Sequence, residues 1–535
     1  MADLPGYAGS PYWPYTRDWF GDDKTMCAEI SPVRESPRDT PSSPWSHRIG
    51  GVALRRSLYY VIFSWFFGAF WMFSTTGATV TELAKYMGAN DLTFGYLAAA
   101  GFLGSIFQII GSVYTQSTGR VKRIILWCGT SQRALYIALA LLPWVFPAFH
   151  GAMAIVVLVF LASALGNVGG PPWVLWMARL VPQRVRGKYF SRRSRVGIVV
   201  SALTAILVGV LLDATHDSWL DHWLGFISRQ VHLPPLILVI SGIFLVAAFA
   251  GMTEIQCYHR VEEIIAEPAG AGAMRSTFLA PLFDGPFMLY LLYSSVYTFA
   301  VTFSGTFIWV MVLDLLSVRS GHSWFFVHPY LAACAMIMLA TNIGQIASYA
   351  VWGRLIDRLG CKPVIFVASS MQTLTWLAFI FMSRDTLALG FLGCFFGGVF
   401  ASALEIANFN MILAFTHKGG SGYQAMAAVV INIAGLLAGL CAGFFAYWMG
   451  RNAIHVHLFG HIFSRYNVLF LMAAGIKCIG DYVILPWVQD SPAKPIRFAI
   501  RYIMGNAFEM LNSQFFAPLR SAVINEGFRP WRRFK

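Results

Sequence analysis

Four ionisable side chains that stand inside long apolar stretches are the residues of this chain best suited to chemistry: Arg133, Glu405, Lys477 and Asp481. A charged group is costly to place in lipid, so each of them predicts a binding, coupling or pairing role. Glu405 is the strongest candidate, because Asn408 follows three residues later on the same face of a helix. A carboxyl group in a water-poor cavity can take up a proton near neutral pH, which predicts proton coupling or substrate contact. The alternative is a hydrogen bond that joins two helices.

The other charged candidates favour structural roles. Arg133 stands beside Gln132, and a guanidinium within a membrane needs a partner, so we favour a clamp within one bundle over a ligand contact. Lys477 and Asp481 are four residues apart, about one helical turn, and are therefore predicted to pair with each other.

A further group of candidates is uncharged. Asn167 and Trp173 flank a Gly-Gly-Pro-Pro sequence, and proline removes a backbone hydrogen bond from a helix. Membrane helices tolerate this where a neighbour or a cavity satisfies the backbone, so we expect an interrupted helix at a binding or gating point. Tyr293 and Tyr297 stand one turn apart in a later apolar stretch. Many aromatic and few charged groups favour an uncharged, amphipathic or weakly charged organic solute over a polyanion.

Membrane-spanning helices must position these residues. Hydrophobic residues make up 57% of the 535 residues and charged residues only 12%, about half the charged fraction usual in soluble domains. Each apolar stretch is long enough to cross a hydrocarbon layer of about 30 Å as a helix. The twelve predicted spans are 57–80, 93–115, 124–146, 152–178, 197–213, 233–253, 286–313, 327–351, 363–382, 387–415, 424–449 and 467–486.

The longest internal polar connection divides the spans into six and six. We predict five regions: a disordered cytosolic tail (1–50), a first six-helix bundle (51–253), a cytosolic linker (254–285), a second six-helix bundle (286–487) and a basic segment (488–535) that is cytosolic or lies in the membrane interface. The first 47 residues have no apolar core of the kind that a cleavable signal peptide contains.

The distribution of basic residues predicts the orientation. With the N-terminus inside, 31 of the 39 Lys and Arg fall in inside segments and six in outside loops. This bias predicts that both termini are cytosolic. Basic inner loops face anionic lipid, so the net charge of +14 is explained without nucleic acid, which is not an expected partner.

The loop after the eighth span carries the sharpest motif of the chain: Gly353-Arg354-Leu355-Ile356-Asp357-Arg358-Leu359-Gly360-Cys361-Lys362. It resembles the signature loop of the major facilitator superfamily, Gly-x-Leu-x-Asp-Arg-x-Gly-Arg-Lys, with Cys361 in place of the usual Arg. We expect Gly353 to allow two helices to approach, and Gly360 to permit the turn. Asp357 is expected to meet a helix N-terminus or a basic side chain.

Two other loops are similar to loops of the same superfamily. After the second span, Gly119 and Arg120 are present, but Gln116 stands at the Asp position, so a charge lock there is doubtful. After the fourth span, Arg186-Gly187-Lys188-Tyr189-Phe190-Ser191-Arg192-Arg193 is similar to an Arg-Gly-x-Tyr/Phe loop of many bacterial members. Its basic residues either set topology alone or form a cytosolic gate that meets acidic groups when the inner side closes.

The resemblance covers about residues 50–490. It implies an all-α membrane protein with twelve transmembrane helices in two pseudo-symmetric six-helix bundles around a central cavity. It implies a secondary active transporter in the plasma (bacterial inner) membrane that moves a small organic solute by alternating access, with protons as the expected coupling ion and a monomer as the expected state. The alternative is a transporter-shaped assembly or sensor protein that binds without transporting, because a shared fold does not fix function.

The sequence does not predict an enzyme. It contains no Walker loop, no Ser-His-Asp signature, no HExxH and no Rossmann fingerprint at a strand–helix turn. The eight cysteines include no CxxC pair, so neither a metal site nor a cofactor is expected.

Overall fold

The computed structural model describes residues 51–147, 150–182, 186–215, 219–263, 280–317, 324–419, 421–452, 456–458, 461–489 and 495–511. The predicted N-terminal tail, residues 264–279 of the predicted linker and residues 512–535 lie outside the described residues. The chain from Arg56 onward forms one compact unit.

Within the described residues, twelve helical spans are long and apolar enough to cross a membrane, as predicted. Spans 1 to 6 (the first half) are Gly51–Ser74, Asp91–Thr115, Lys122–Val145, Ala152–Leu180, Arg192–Asp213 and Pro235–Arg260. Spans 7 to 12 (the second half) are Gly285–Ser317, Pro329–Leu359, Cys361–Ile380, Leu387–Phe415, Met426–Arg451 and Arg465–Trp487.

Several spans combine more than one helical segment. Span 2 consists of helices Asp91–Ser105 and Gln108–Thr118, and span 7 of helices Gly285–Gly305 and Ile308–Ser317. Single π-helical segments, Ala335–Ala340 and Gly480–Ile484, interrupt spans 8 and 12. A π segment inserts a residue into the helical turn and is frequent at functional sites.

Shorter elements connect the spans. These are helices Ala78–Tyr86, Trp219–Val231, Trp324–Val327 and Ile496–Leu511, the 3₁₀ turns Tyr258–Arg260 and Ala280–Phe283, and an antiparallel hairpin of strands Val456–Leu458 and His461–Phe463. Helix Ile496–Leu511 lies in the segment that was predicted to be cytosolic or interfacial.

Polar side chains at the starts of several spans cap the helices and so fix the span boundaries. Asn90 accepts a hydrogen bond from the backbone N–H of Thr93 at the start of span 2, and Asp284 caps span 7 in the same way. A capping box of Ser464 and Asn467 starts span 12. These caps satisfy backbone donors that no helical carbonyl reaches.

Several boundaries differ from the predicted ones, among them both ends of span 1 and the end of span 8 at Leu359, and two of the differences concern charged residues. The helix of span 5 begins at Arg186 rather than at residue 197, because its first turns are basic and hydropathy alone does not detect a solvated helical end. The helix of span 6 continues to Cys257, so Glu254 is a buried helical residue and not the first residue of a linker.

Glycines allow spans 2 and 11 to pack closely across the two halves. A Cβ on Gly443 would stand 2.6 Å from the Cα of Gly95, and one on Gly439 would stand 2.9 Å from the backbone N of Ala99. Gly435, one turn earlier, makes room for the ring of Phe102. Small residues four apart let membrane helices approach backbone to backbone.

Spans 5 and 8 form the second crossing between the halves. A Cβ on Gly209 would stand 2.6 Å from the Cα of Leu331. The carboxylate of Asp213 accepts the backbone N–H groups of Tyr330 and Leu331, each at 2.9 Å, and so caps the start of span 8 from the other half. We call this end of the bundle, with Asp213, the outer end, and the opposite end, with the turns at Gly119 and Gly360, the inner end.

Candidate binding cavity

A cavity of about 920 Å³ lies among spans 1 to 6 and reaches span 11. Its walls are mostly apolar, as in most small-molecule sites. The polar groups that line it are Gln108, Ser112, Gln132, Arg133, Asn167, Arg193, Glu254, Tyr258 and Gln424. Three of the predicted site residues, Arg133, Asn167 and Trp173, therefore line the same cavity.

Arg133 and Glu254 form a buried ion pair at one side of the cavity. An Nη atom of Arg133 lies 2.6 Å from Oε2 of Glu254, and the side chains are only 10% and 7% exposed. The guanidinium also stacks 3.8 Å from the ring centroid of Trp71 and donates to Gln132. The pair connects span 3 to span 6, which matches the clamp that the sequence predicted for Arg133.

Glycine makes room for this ion pair. A Cβ on Gly68 of span 1 would overlap the carboxylate of Glu254, and one on Gly251 would stand 2.6 Å from Cγ of Arg133. A side chain at either position would displace a charged group that has to stay paired, because a single buried charge is strongly unfavourable.

Arg193 of span 5 lies against two indole rings. Its guanidinium carbon is 3.9 Å from the ring centroid of Trp65 in span 1 and 4.7 Å from that of Trp173 in span 4. Trp173 is held by a 3.0 Å hydrogen bond from its Nε1 to the hydroxyl of Tyr258. The absence of a Cβ on Gly197 leaves space for the indole of Trp65.

Sequence reasoning assigned Arg193 to a topology or gating cluster and missed its place in the cavity. The available signal was the length of the helix. Arg193 stands seven residues after Arg186 in a stretch without proline, and a helix that begins at Arg186 places it two turns inside.

Span 4 remains helical from Ala152 to Leu180, so the interruption that Pro171 and Pro172 predicted is not present. Pro172 offers no N–H to the carbonyl of Val168, and that carbonyl instead faces Gly111 of span 2, where a Cβ would overlap it. The missing Cβ of Gly111 thus lets span 2 pack against this part of span 4. Asn167 donates to the carbonyl of Ser163 at 2.8 Å.

Glu405 lies outside this cavity, on an exposed part of span 10. The hydroxyl of Tyr349 in span 8 donates to its Oε2 at 2.6 Å. Tyr349 follows Asn342 by two helical turns, so the two share a face, and Asn342 donates at 2.9 Å to Ser201 of the first half. Glu405 and Tyr349 therefore lie on the side of the second half that faces the first half.

The remaining predicted site residues lie within the second half. Asn408 accepts a hydrogen bond from the hydroxyl of Tyr290 rather than contacting Glu405. Tyr293 is fully buried and donates to Asp481 at 3.3 Å, and Tyr297 donates to Gln372 at 3.3 Å. None of these residues lines the cavity of the first half.

The predicted pair of Lys477 and Asp481 is confirmed. Their Nζ and Oδ2 atoms are 3.1 Å apart, and both side chains are almost completely buried. Asp481 also accepts from Ser369 at 2.6 Å, and Lys477 donates to Thr373 at 3.1 Å. The pair connects span 12 to span 9, as Arg133 and Glu254 connect spans 3 and 6 in the first half.

The signature loop of the second half anchors neighbouring elements at the inner end. Gly360 has φ +92° and separates span 8 from span 9, a conformation that glycine adopts without strain. Lys362 donates to the carbonyl of Pro486 at 2.7 Å. Arg358 stacks 4.6 Å from the ring centroid of Tyr502 and contacts its hydroxyl, which holds helix Ile496–Leu511 against the loop.

Two expectations for this loop differ from the structure. A Cβ on Gly353 would meet no atom within 4 Å, so the close helix approach predicted there is absent in this conformation. Asp357 is exposed. Both residues face open space at the inner end.

The corresponding loop of the first half is held by a residue that the motif does not contain. Oε1 of Glu263 accepts the backbone N–H groups of Val121 and Lys122 at 2.7 and 2.8 Å. This carboxylate caps the N-terminus of span 3, where it also favours the helix dipole. Lys122 donates to the carbonyls of His259 and Val261, much as Lys362 binds the end of span 12.

Gly119 and Arg120 also belong to this loop. Gly119 has φ +68° and ends the helix of span 2. Arg120 is exposed, and its backbone N–H donates to the hydroxyl of Thr118. The backbone of Arg186 and Gly187 forms the first turn of the helix that continues into span 5, and not a loop.

Ion pairs connect the two halves at the outer end. Lys85 lies 2.8 Å from Asp314, and Arg465 lies 3.1 Å from Asp91. Tyr466 also donates to Asp91 at 3.0 Å. Each of these contacts joins a residue of the first half to one of the second.

The two halves diverge toward the inner end. Spans 2 and 11 touch backbone to backbone at Gly95 and Gly443, but farther inward the cavity separates them. Its wall includes Ser112 on one side and Met426 on the other. The conformation is therefore closed at the outer end and opens toward the inner end.

No protein-family model and no curated protein sequence matches the chain. Solved structures do match in fold. The nucleoside transporter NupG aligns over 81% of this chain and 98% of its own, with a TM-score of 0.58 and 12% identity. A bacterial homolog of the human lysosomal transporter Spinster, in an inward-facing and unoccupied conformation, covers 82% and 99%, with a TM-score of 0.52 and 13% identity. A D-xylose–proton symporter covers 82% and 98%, with a TM-score of 0.52 and 11% identity.

These similarities and the twelve spans define the class. The chain is an integral membrane protein with the fold of the major facilitator superfamily, as the signature loop predicted. At 10–13% identity the similarity establishes the fold, while substrate and energy source have to be argued from the residues of this chain.

Proposed function

We propose that this protein is a secondary active transporter that moves a small organic solute by alternating access. The observation that carries the proposal is the asymmetry of the contacts between its halves. Salt bridges and the close helix contacts at Gly443 and Gly209, which we call seams, join the halves at the outer end. A cavity large enough for a small organic molecule opens toward the inner end. A conformation that is closed at the outer end and open at the inner end corresponds to one of the two states of an alternating-access cycle.

The contacts also suggest how the second state forms. At each seam a glycine, Gly443 or Gly209, lies against the backbone of the other half. The halves can therefore rock there without forcing large groups past each other. Closure of the inner end would bring exposed Asp357 toward the basic N-terminal turns of the span 5 helix. A carboxylate is stabilised at a helix N-terminus, so Asp357 would help to hold the inner end closed.

Glu405 is the residue we propose for proton coupling. It is exposed on the surface that faces the first half, and the hydroxyl of Tyr349 contacts its carboxylate at 2.6 Å. Rocking of the halves would expose this carboxyl group to one side of the membrane and then to the other, as a coupling group requires. The basic loops support a location in a plasma membrane of bacterial inner-membrane type, with both termini cytosolic.

A transport measurement tests the proposal. Purified protein is first screened against solutes by thermal shift, since a ligand of the native state raises the melting temperature. The best solute is then offered to proteoliposomes with and without a pH gradient. We expect uptake, with accumulation only when the gradient is imposed.

A locked variant is the matched control. Cysteines at Lys85 and Asp314, joined by a short bifunctional thiol reagent in a background without other cysteines, should stop uptake but not binding. Each single-cysteine variant treated with the same reagent should keep uptake. Ligand binding without flux in the unlocked protein would favour the binding or sensor alternative instead.

A further inference from the structure

We infer that the cavity of the first half selects organic monoanions, and that Arg193 is the residue that binds their carboxylate. This inference rests on the proposed transport function for its biological meaning, but it concerns binding alone. It starts from an imbalance of charge within the cavity.

Three formal charges line the cavity: Arg133, Glu254 and Arg193. Arg133 and Glu254 neutralise each other at 2.6 Å. Arg193 forms no salt bridge and no hydrogen bond with any described residue, and its Nε is buried without a partner, although Glu254 also acts on it electrostatically. The residues that line the cavity therefore carry a net charge of +1. A guanidinium within a membrane bundle is expected to find a partner, and here a ligand can supply it.

The geometry around Arg193 suits a planar anion. Trp65 and Trp173 both lie against the guanidinium, whose carbon is 3.9 and 4.7 Å from their ring centroids. A guanidinium donates through the N–H groups along its planar edge, where a carboxylate binds in a bidentate manner. The indole rings stabilise the cation through cation–π contacts, which do not use these N–H groups.

The rest of the cavity favours a carboxylate with an apolar body. Ile109, Ile125 and Val174 contribute hydrocarbon walls, and the amide groups of Gln108 and Asn167 offer neutral polar contacts. A single free positive charge balances one negative charge but not the two of a phosphate monoester. The volume of about 920 Å³ is within the range of small-molecule sites.

Matched probes test this assignment on the full-length protein in lipid nanodiscs. The probes are 3-phenylpropionate, its neutral amide 3-phenylpropionamide, and phenyl phosphate, with binding measured by thermal shift and by isothermal titration. We expect the carboxylate to bind at least tenfold more tightly than the amide, and more tightly than the phosphate. An equal affinity of acid and amide, or binding of neither, would overturn the assignment, and preference for the phosphate would overturn the choice of a monoanion.

Two variants locate the anion contact. Arg193→Gln should lose the preference for acid over amide, while Arg195→Gln, an exposed arginine on the same helix, should keep it. Arg193→Lys keeps the charge but not the planar edge, and should retain only part of the preference. An unchanged preference in Arg193→Gln would exclude Arg193 as the anchor.

The outcome is separable from that of the transport proposal. Cross-linking at positions 85 and 314 reports whether alternation of the halves carries the uptake of the solute found in the thermal-shift screen, which need not be an anion. Alternation without acid selectivity would refute only the anion site, and acid selectivity without alternation would refute only transport.

Discussion

The guanidinium of Arg133 and the carboxylate of Glu254 meet at 2.6 Å although 121 positions separate them in the chain. This pair joins span 3 to span 6, and both side chains are almost completely buried. The pair thus fixes the packing of two helices. Among the charged residues that line the cavity, Arg193 is the one outside this salt bridge.

Breaking this pair should destabilise the protein strongly. Glu254→Gln leaves a buried guanidinium without a counter-charge, so we expect the free energy of unfolding to fall by about 3–5 kcal/mol. Thermal or denaturant unfolding in detergent measures the change. Glu262→Gln is the control, because Glu262 pairs with Arg56 in an exposed setting and its loss should cost below about 1 kcal/mol. Equal losses in the two variants would contradict the clamp.

Opening the outer end should require the pair of Lys85 and Asp314 to break. Asp314→Asn should therefore shift the population toward the outward-open state, by less than about fivefold because the pair is partly exposed. Labelling of a cysteine placed at Ser201, under the outer seam, reports the shift as a faster reaction with a thiol reagent added outside. Asp385→Asn, another exposed outer carboxylate, should leave the rate unchanged. Slower labelling in Asp314→Asn would argue against a gate.

Neutralising Glu405 should separate transport from coupling. We expect Glu405→Gln to abolish accumulation driven by a pH gradient but to retain exchange of labelled for unlabelled solute, since exchange needs no net proton movement. Tyr349→Phe removes the 2.6 Å hydrogen bond to the carboxylate and should weaken the coupling without abolishing it. Gradient-driven accumulation at the normal level in Glu405→Gln would rule out the coupling role.

Adding a methyl group to the seam between spans 2 and 11 should disfavour the outer-closed state. The Cβ in Gly443→Ala would stand 2.6 Å from the Cα of Gly95, which forces the helices apart. We expect faster labelling of the cysteine at Ser201 and a lower melting temperature. Gly242→Ala is the matched control, because a Cβ there meets nothing within 4 Å. If Gly443→Ala had the same labelling rate and melting temperature as Gly242→Ala, the close approach of the two helices would be unimportant.

Much of the fold followed from local sequence. A span needs only about 20 consecutive apolar residues, so its existence is a property of composition along the chain. The pairing of Lys477 with Asp481 and the turn at Gly360 also depend on residues at most one helical turn apart. Span ends were less accurate where a helix continues into water, as at Arg186, because the signal is apolar length rather than helicity.

The candidate site followed from sequence only in part. Arg133, Asn167 and Trp173 were singled out as polar or aromatic residues at membrane depth, and they do meet in one cavity. Glu405 was singled out by the same reasoning but lies elsewhere, because depth along a helix does not specify the face that meets a neighbour.

The sequence by itself determined twelve stretches long and apolar enough to span a membrane and a loop that resembles the signature loop of the major facilitator superfamily, since both are read from consecutive residues. Only the tertiary structure decided that Glu254 neutralises Arg133, and that Trp65 and Trp173 lie against Arg193. The physical reason is that Coulomb and cation–π interactions act over a few ångströms in space. The partners come from different helices, and only the packing of those helices brings them together.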